Sequence, residues 1–322
     1  MNSAVTGPVG VISNPNSGHN RDQFPAIRAR LEACNGLIHR VTSSADEIGA
    51  ALTDMRAAGV KVLAINGGDG TVSAILGELL ESVSAPELPM IAILPGGTAN
   101  MNAGDIGISG SLKQAVNKFS SWCEGDRSLP VAPAQRSLLR VSETTSDKIH
   151  YGMFLGAGAV IQGTDYAHRE IHSRGLRDDF SLALGVIRTV WGVLRDDPNF
   201  NEHVQVELSL DGAPAIHHNT LILAISTLQR LAFGMRPFWS AEPGAIRVTL
   251  MDQGCSRFAR TFFSIVRGKP SSNARPDSGY HSHNAQSLLL TLHGRINIDG
   301  EIIHCDGPMH INASEPLEFL QL

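Results

Sequence analysis

Cysteine is scarce in this 322-residue chain. The four present, Cys34, Cys123, Cys255 and Cys305, lie far apart, with no C-x-x-C pair and no Cys/His ligand spacing. This speaks against a disulfide framework and makes a reducing cytoplasm the expected setting. A basic excess is lacking too. The net charge is −5 and the pI about 6.2, which argues against a general nucleic-acid binder. No stretch approaches the roughly 18 uninterrupted apolar residues of a membrane-spanning helix, so any membrane contact is expected to be peripheral. Met1 to Gly10 lacks a basic region followed by a long apolar run, so no signal peptide is expected. Internal repeats and low-complexity tracts are absent. So are the Walker pattern GxxxxGK[ST] and the Rossmann pattern GxGxxG.

What the chain does contain is enough apolar residue, 42% against 18% charged, to bury a core. Its length suits two domains. Up to about residue 125, short apolar runs alternate with helical periodicity. Strands are expected over 9–13, 38–41, 61–66 and 90–94, and helices over 21–35, 45–58 and 71–80. This alternation argues for a parallel sheet covered on both faces, with ligands beyond the carboxyl ends of its strands. A linker with two prolines follows at Ser128 to Pro133. Beyond it, alternating stretches at 204–210, 220–225, 246–251, 287–292 and 295–298 suggest antiparallel strands. A helix is expected over 179–194, where Trp191 with Val186, Ile187, Val190 and Leu194 suggests core packing. An amphipathic piece spans 257–266, and the polar segment 270–283 suggests a mobile loop.

Three glycine- and asparagine-rich loops fall at strand ends. In Asn66-Gly67-Gly68-Asp69-Gly70-Thr71 the glycines let backbone approach a ligand, and the following helix start adds N–H groups that favour phosphate. Asp69 places a carboxylate where a magnesium ion needs oxygen, and Thr71 could instead cap its helix. Pro95-Gly96-Gly97-Thr98-Ala99-Asn100 is a second such loop, and Asn14-Pro15-Asn16-Ser17-Gly18 a third. Each alone is compatible with a simple turn, whereas one shared nucleotide pocket explains all three.

These three motifs, joined by Asp299-Gly300-Glu301 near the C-terminus, resemble the diacylglycerol kinase catalytic domain family, which includes bacterial lipid kinases and sphingosine and ceramide kinases. The resemblance covers most of the chain. It implies an α/β nucleotide-binding domain like that of phosphofructokinase and NAD kinase, over 1–130, rejoined by a C-terminal strand at about 315–322. A C-terminal antiparallel β-sandwich that takes the acceptor or lipid is implied over 131–314, with the active site in the cleft between. It further implies ATP and Mg2+ as cofactors, with nucleotide contacts from Asn14, Ser17, Gly18, Asn66, Gly67, Gly68, Asp69, Gly70, Thr71, Gly96, Gly97, Thr98 and Asn100. Asp69 would serve MgATP, Glu301 would act as general base on the acceptor hydroxyl, and Asp299 would orient it or hold magnesium. Read from the residues alone, Asp299-Gly300 is a two-residue hairpin turn that presents Glu301.

Two departures from the family pattern concern the acceptor side. Met101 follows Asn100 where many members carry Asp, and Pro243 stands where an Asp would contribute to a structural magnesium site. Diacylglycerol is therefore not a secure acceptor, and no second magnesium site is expected. Gly156-Ala157-Gly158 could line the cleft or mark a bulge. Residues 226–275 hold eight basic residues against two acidic ones, interleaved with Phe233, Met235, Phe238, Trp239, Phe262 and Phe263. That mixture suits an anionic bilayer, and it equally suits a solvated face over a core. The expected partners are thus a lipid or amphiphilic alcohol substrate and a membrane met peripherally at its inner face. Nucleic acid is not among them, and homodimerisation is left open. Among the 13 histidines, His217-His218 and His281-Ser282-His283 have no third ligand nearby and suggest surface positions. Two rivals to a lipid kinase remain: an NAD-kinase-like enzyme with a soluble acceptor, and a non-catalytic lipid- or nucleotide-binding homologue.

Overall fold

The computed structural model describes residues 4–144, 148–164 and 203–322, so the helix expected over 179–194, with Trp191, lies outside the described residues. The chain forms two compact units. One comprises the residues up to Arg136 together with Glu315–Leu322, and the other Ser137–Ser314.

The first unit is a six-stranded sheet built from β1 (Val9–Ser13), β2 (Leu37–Val41), β3 (Val62–Gly67), β4 (Met90–Pro95), β5 (Ala134–Arg136) and, from the C-terminus, β15 (Leu317–Phe319). Its order is β2-β1-β3-β4-β15-β5, parallel except for β5. Every residue of β1 and β3 is buried. This is what a sheet covered on both faces requires, and it explains the uninterrupted apolar runs. The helices are α1 (Asn20–Glu32), α2 (Ile48–Ala57), α3 (Asp69–Ser82), α4 (Met101–Ile106) and α5 (Leu112–Glu124). Helix α5 is not among the helices expected from sequence. Ser111 and Gln114 form a capping box at its start, and this S-x-x-Q signal was there to be found. Register fixes the functional edge. Ser13 pairs with Asn66, Asn66 with Leu94 and Gly67 with Pro95, so β1, β3 and β4 end level and their loops emerge side by side.

The second unit is antiparallel. Its strands are β6 (Leu139–Glu143), β7 (Ile149–Gly152), β8 (Phe154–Gly158), β9 (Val204–Leu210), β10 (Ile216–Ser226), β11 (Ile246–Asp252), β12 (Tyr280–Ala285), β13 (Ser287–Ile298) and β14 (Glu301–Ala313). They run in the order β12-β11-β10-β8-β13-β14-β6-β7, and β9 also pairs with β10 and β13. β8 and β9 share one slot. Gly158 faces Ile222 of β10 and Val204 faces Thr220, so the chain leaves the sheet after β8 and re-enters along the same line. Gly158 has φ +68, and a Cβ there would lie 2.4 Å from the Leu221 carbonyl, so close backbone approach is the reason for this glycine. Helix α6 (Phe258–Val266) buries Phe258, Phe262 and Ile265 against Met251 and Tyr280.

Two expectations need correction. Residues 287–298 form a single strand rather than two, held along its length by β14. The segment 270–283 is not wholly loop, because Tyr280–Ala285 is the edge strand β12, paired residue by residue with β11. Its composition, Tyr-His-Ser-His-Asn-Ala, shows no apolar alternation, so only the pairing reveals it.

Candidate functional site

In the first unit the three loops form one hydrogen-bonded block. Asn14 donates its backbone N–H to the Asn66 carbonyl and its side-chain Nδ2 to Thr71 Oγ1, both at 2.9 Å. Ser17 Oγ donates to the Asn14 carbonyl at 2.9 Å. Asn20, fully buried at the start of α1, donates to the carbonyl of Asn14, to Ser17 Oγ and to the carbonyl of Asn66. Asn20 is not among the residues expected from sequence to belong to the site. Asn66 in turn donates to Ser13 Oγ, which also meets His39 Nε2 at 2.8 Å.

The glycines are required by contact between the loops. A Cβ on Gly97 would sit 2.3 Å from Gly68 Cα, and one on Gly18 would sit 2.5 Å from Thr98 Oγ1. Asn100 adopts a left-handed conformation (φ 47°, ψ 40°), which asparagine tolerates better than most residues. Its side chain accepts from Gly97 N–H and donates to the Gly97 carbonyl, each at 2.8 Å, closing the Pro95–Asn100 loop on itself. Helix α3 starts at Asp69 behind Gly68, and no side chain caps it. Thr71, which could have been that cap, is instead engaged by Asn14. The first N–H groups of a helix have no intrahelical partner, so this end keeps donors available to an anion.

Asp69 is buried, and its carboxylate has a definite task. Oδ2 accepts the Met101 N–H at 3.1 Å and Oδ1 the Asn102 N–H at 2.9 Å, so Asp69 holds the start of α4. Burial raises its pKa, and those two N–H bonds oppose the rise. Asn102 beside it is fully buried, with neither side-chain atom partnered by the protein.

Asp299 and Glu301 belong to the second unit. Asp299 (φ 47°) and Gly300 (φ 96°) form the two-residue turn between β13 and β14, both in the left-handed region that such hairpins need. Asp299 repeats the arrangement at Asp69. Its Oδ2 accepts the Met153 N–H at 2.7 Å and its Oδ1 the Phe154 N–H at 3.0 Å, tying the turn to the start of β8. Asn297 Oδ1 accepts the Gly300 N–H at 2.9 Å. Glu301, next in the chain, is exposed, and its side chain has no hydrogen bond or ion pair among the described residues. Within this unit it is a carboxylate with no structural employment.

The first unit fits a nucleoside triphosphate: glycine loops in backbone contact beside the uncapped start of a 14-residue helix, whose first N–H groups can donate to phosphate oxygens. It offers magnesium less. Among the described residues no cluster of three metal-ligating side chains lies at these loops, so the ion would be held largely by phosphate oxygens, the usual arrangement for Mg2+. Asp69 is the one loop carboxylate, with one lone pair on each oxygen already used.

Residues 8–125 match the model of the diacylglycerol kinase catalytic domain. No curated protein sequence matches the chain significantly. Among solved structures, a diacylglycerol kinase from Bacillus anthracis str. Sterne superposes with TM-score 0.61 at 13% identity. A candidate diacylglycerol kinase from the same organism gives 0.65 at 16% identity. In both cases 98% of each chain is covered. At such identities the likeness is one of fold: a parallel-sheet unit followed by an antiparallel β-rich one.

Proposed function

We propose that the protein is an ATP-dependent lipid kinase that transfers the γ-phosphate to a hydroxyl of a lipid or lipid-like alcohol. The observation that carries this is the uncapped start of α3, set among three loops whose glycines touch backbone to backbone. Such a seat suits phosphate, and phosphoryl transfer depends mainly on positioning and charge neutralisation. In this reading the N–H groups at Gly68, Gly70 and Thr71 hold phosphate oxygens. Gly18, Gly96, Gly97 and Thr98 keep the loops close, while Asn14, Ser17, Asn66 and Asn100 fix their shape. Asp69 positions α4 and offers its remaining lone pairs to magnesium, whose charge offsets that of the phosphates. Glu301 accepts the proton of the acceptor hydroxyl, and Asp299 sets the hairpin that presents it.

The acceptor is proposed to be diacylglycerol, a sphingoid base or a related amphiphilic alcohol, and Met101, which stands where a carboxylate is expected, leaves diacylglycerol without preference among them. Membrane contact is part of the proposal in a narrowed form. The apolar face of α6 is spent on the core of its own unit, leaving Phe263, with the Arg267 guanidinium 5.8 Å from its ring, and Phe233 as exposed aromatics.

One observation favours a second reading, a homologue that binds without catalysis. Asp69 and Asp299 both anchor backbone, so folding alone accounts for their presence, and Glu301 becomes the residue that separates the two readings. Calorimetric titration with a non-hydrolysable ATP analogue and Mg2+ tests the shared premise. One site per chain is expected, and no binding would overturn both readings.

A further inference from the structure

In the second unit His218, Asp252 and His281, from three different strands, converge on one point. Asp252 Oδ1 lies 3.2 Å from His218 Nδ1, and its Oδ2 lies 2.8 Å from His281 Nε2. All three donor atoms fall within 4.8 Å of one another, and the two imidazoles meet edge to face at 4.6 Å. Register produces this. Thr220 pairs with Asp252 and His281 with Leu250, and side chains two residues apart share a face, so β10, β11 and β12 present His218, Asp252 and His281 together. His217 points to the opposite face. The histidines that looked isolated in sequence are therefore cross-strand neighbours, with an aspartate as the third donor.

We infer that His218, Asp252 and His281 bind one divalent first-row transition cation, of which Zn2+ is the representative. Two imidazole nitrogens and one carboxylate oxygen form a donor set suited to such ions, leaving coordination positions for water. With metal–ligand bonds of about 2.0–2.2 Å, neighbouring ligand atoms stand roughly 3–3.5 Å apart, so donor atoms all within 4.8 Å of one another need only small side-chain shifts to meet one ion. A further observation supports it. Thr220, directly across from Asp252 on the same face, is almost wholly buried, with a hydroxyl that has no protein partner and suits a metal-bound water. β12 is the edge strand, so the cation would fasten it to β11 and β10.

The test is titration of the chelator-treated full chain with Zn2+ by calorimetry, and with Co2+ by visible absorption. The wild type is expected to bind one ion per chain, show ligand-field bands with Co2+, and melt at higher temperature with Zn2+ than without. His218→Asn and Asp252→Asn are expected to weaken binding by at least about 100-fold, since even outer-sphere changes cost tenfold or more. His283→Asn, which removes a histidine paired with Glu242 instead, is expected to bind as the wild type does. The wild-type Co2+ spectrum needs no variant, so misfolding of a variant cannot mask the answer. Absence of Co2+ bands, several weak Zn2+ sites per chain, or unchanged binding in folded Asp252→Asn would each overturn the assignment.

Discussion

The carboxylate of Asp69 accepts the backbone N–H of Asn102 at 2.9 Å, across 33 residues of chain. With the neighbouring bond from Met101, it joins the Asn66–Thr71 loop to the helix that follows the Pro95–Asn100 loop. The residue expected to serve magnesium therefore also organises the site. Asp69→Asn turns one oxygen into an N–H donor facing a backbone N–H. It is expected to lose roughly 1–3 kcal/mol of stability, the usual cost of an unsatisfied buried donor, together with phosphoryl transfer. Urea denaturation beside an activity assay checks this. Wild-type stability in the variant would refute the anchoring role.

Gly97 and Gly104 form a paired prediction. A Cβ on Gly97 would press on Gly68 Cα, whereas one on Gly104, within α4, meets nothing within 4 Å. Gly97→Ala is expected to part the two loops and weaken ATP binding at least tenfold. Gly104→Ala is expected to leave binding unchanged and to stabilise by up to about 1 kcal/mol through helix propensity. Titration of both variants with the ATP analogue decides it.

Asp299 and Glu301 are predicted to separate structure from chemistry. Asp299→Asn weakens the link from hairpin to β8 and is expected to cost roughly 1–3 kcal/mol. Glu301→Gln alters an exposed, unpartnered side chain and is expected to change stability by less than about 0.5 kcal/mol, keep ATP binding and abolish transfer. Thermal melts and turnover of the two proteins give the comparison.

His39 makes the first unit sensitive to acid. Its ring is nearly enclosed, and burial lowers its pKa below the ordinary 6.5, the more so because only Glu32 opposes the effect. As pH falls, the unfolded chain takes up this proton first. The stability contributed by neutral His39 is thus complete above about pH 6.5 and is lost progressively below it. His39→Gln is expected to flatten the dependence of the urea midpoint on pH between about 7.5 and 5. Equal slopes in the two proteins would contradict this.

What was legible in the sequence was what short-range chemistry dictates. β1, β3 and β4 announce themselves as apolar runs, and glycine, proline and asparagine mark the loops at their ends, so the α/β layout and the position of the three loops could be read directly. The partners of Asp69 and Asp299 could not be read, because the latter's N–H donors lie 146 and 145 residues away. The cluster of His218, Asp252 and His281 was illegible for a related reason. It depends on the register of three strands, and one of them, β12, has no apolar alternation to betray it. Asn20 was overlooked because a buried asparagine at the start of α1 looks like any polar residue until its three acceptors are assembled around it.

The most direct test of the account is transfer of radiolabelled γ-phosphate from MgATP to a total lipid extract, resolved by chromatography, with Glu301→Gln as control. The account predicts a labelled lipid with the wild type and none with the variant, although both bind ATP. Binding of ATP by the wild type without any labelled lipid would contradict it.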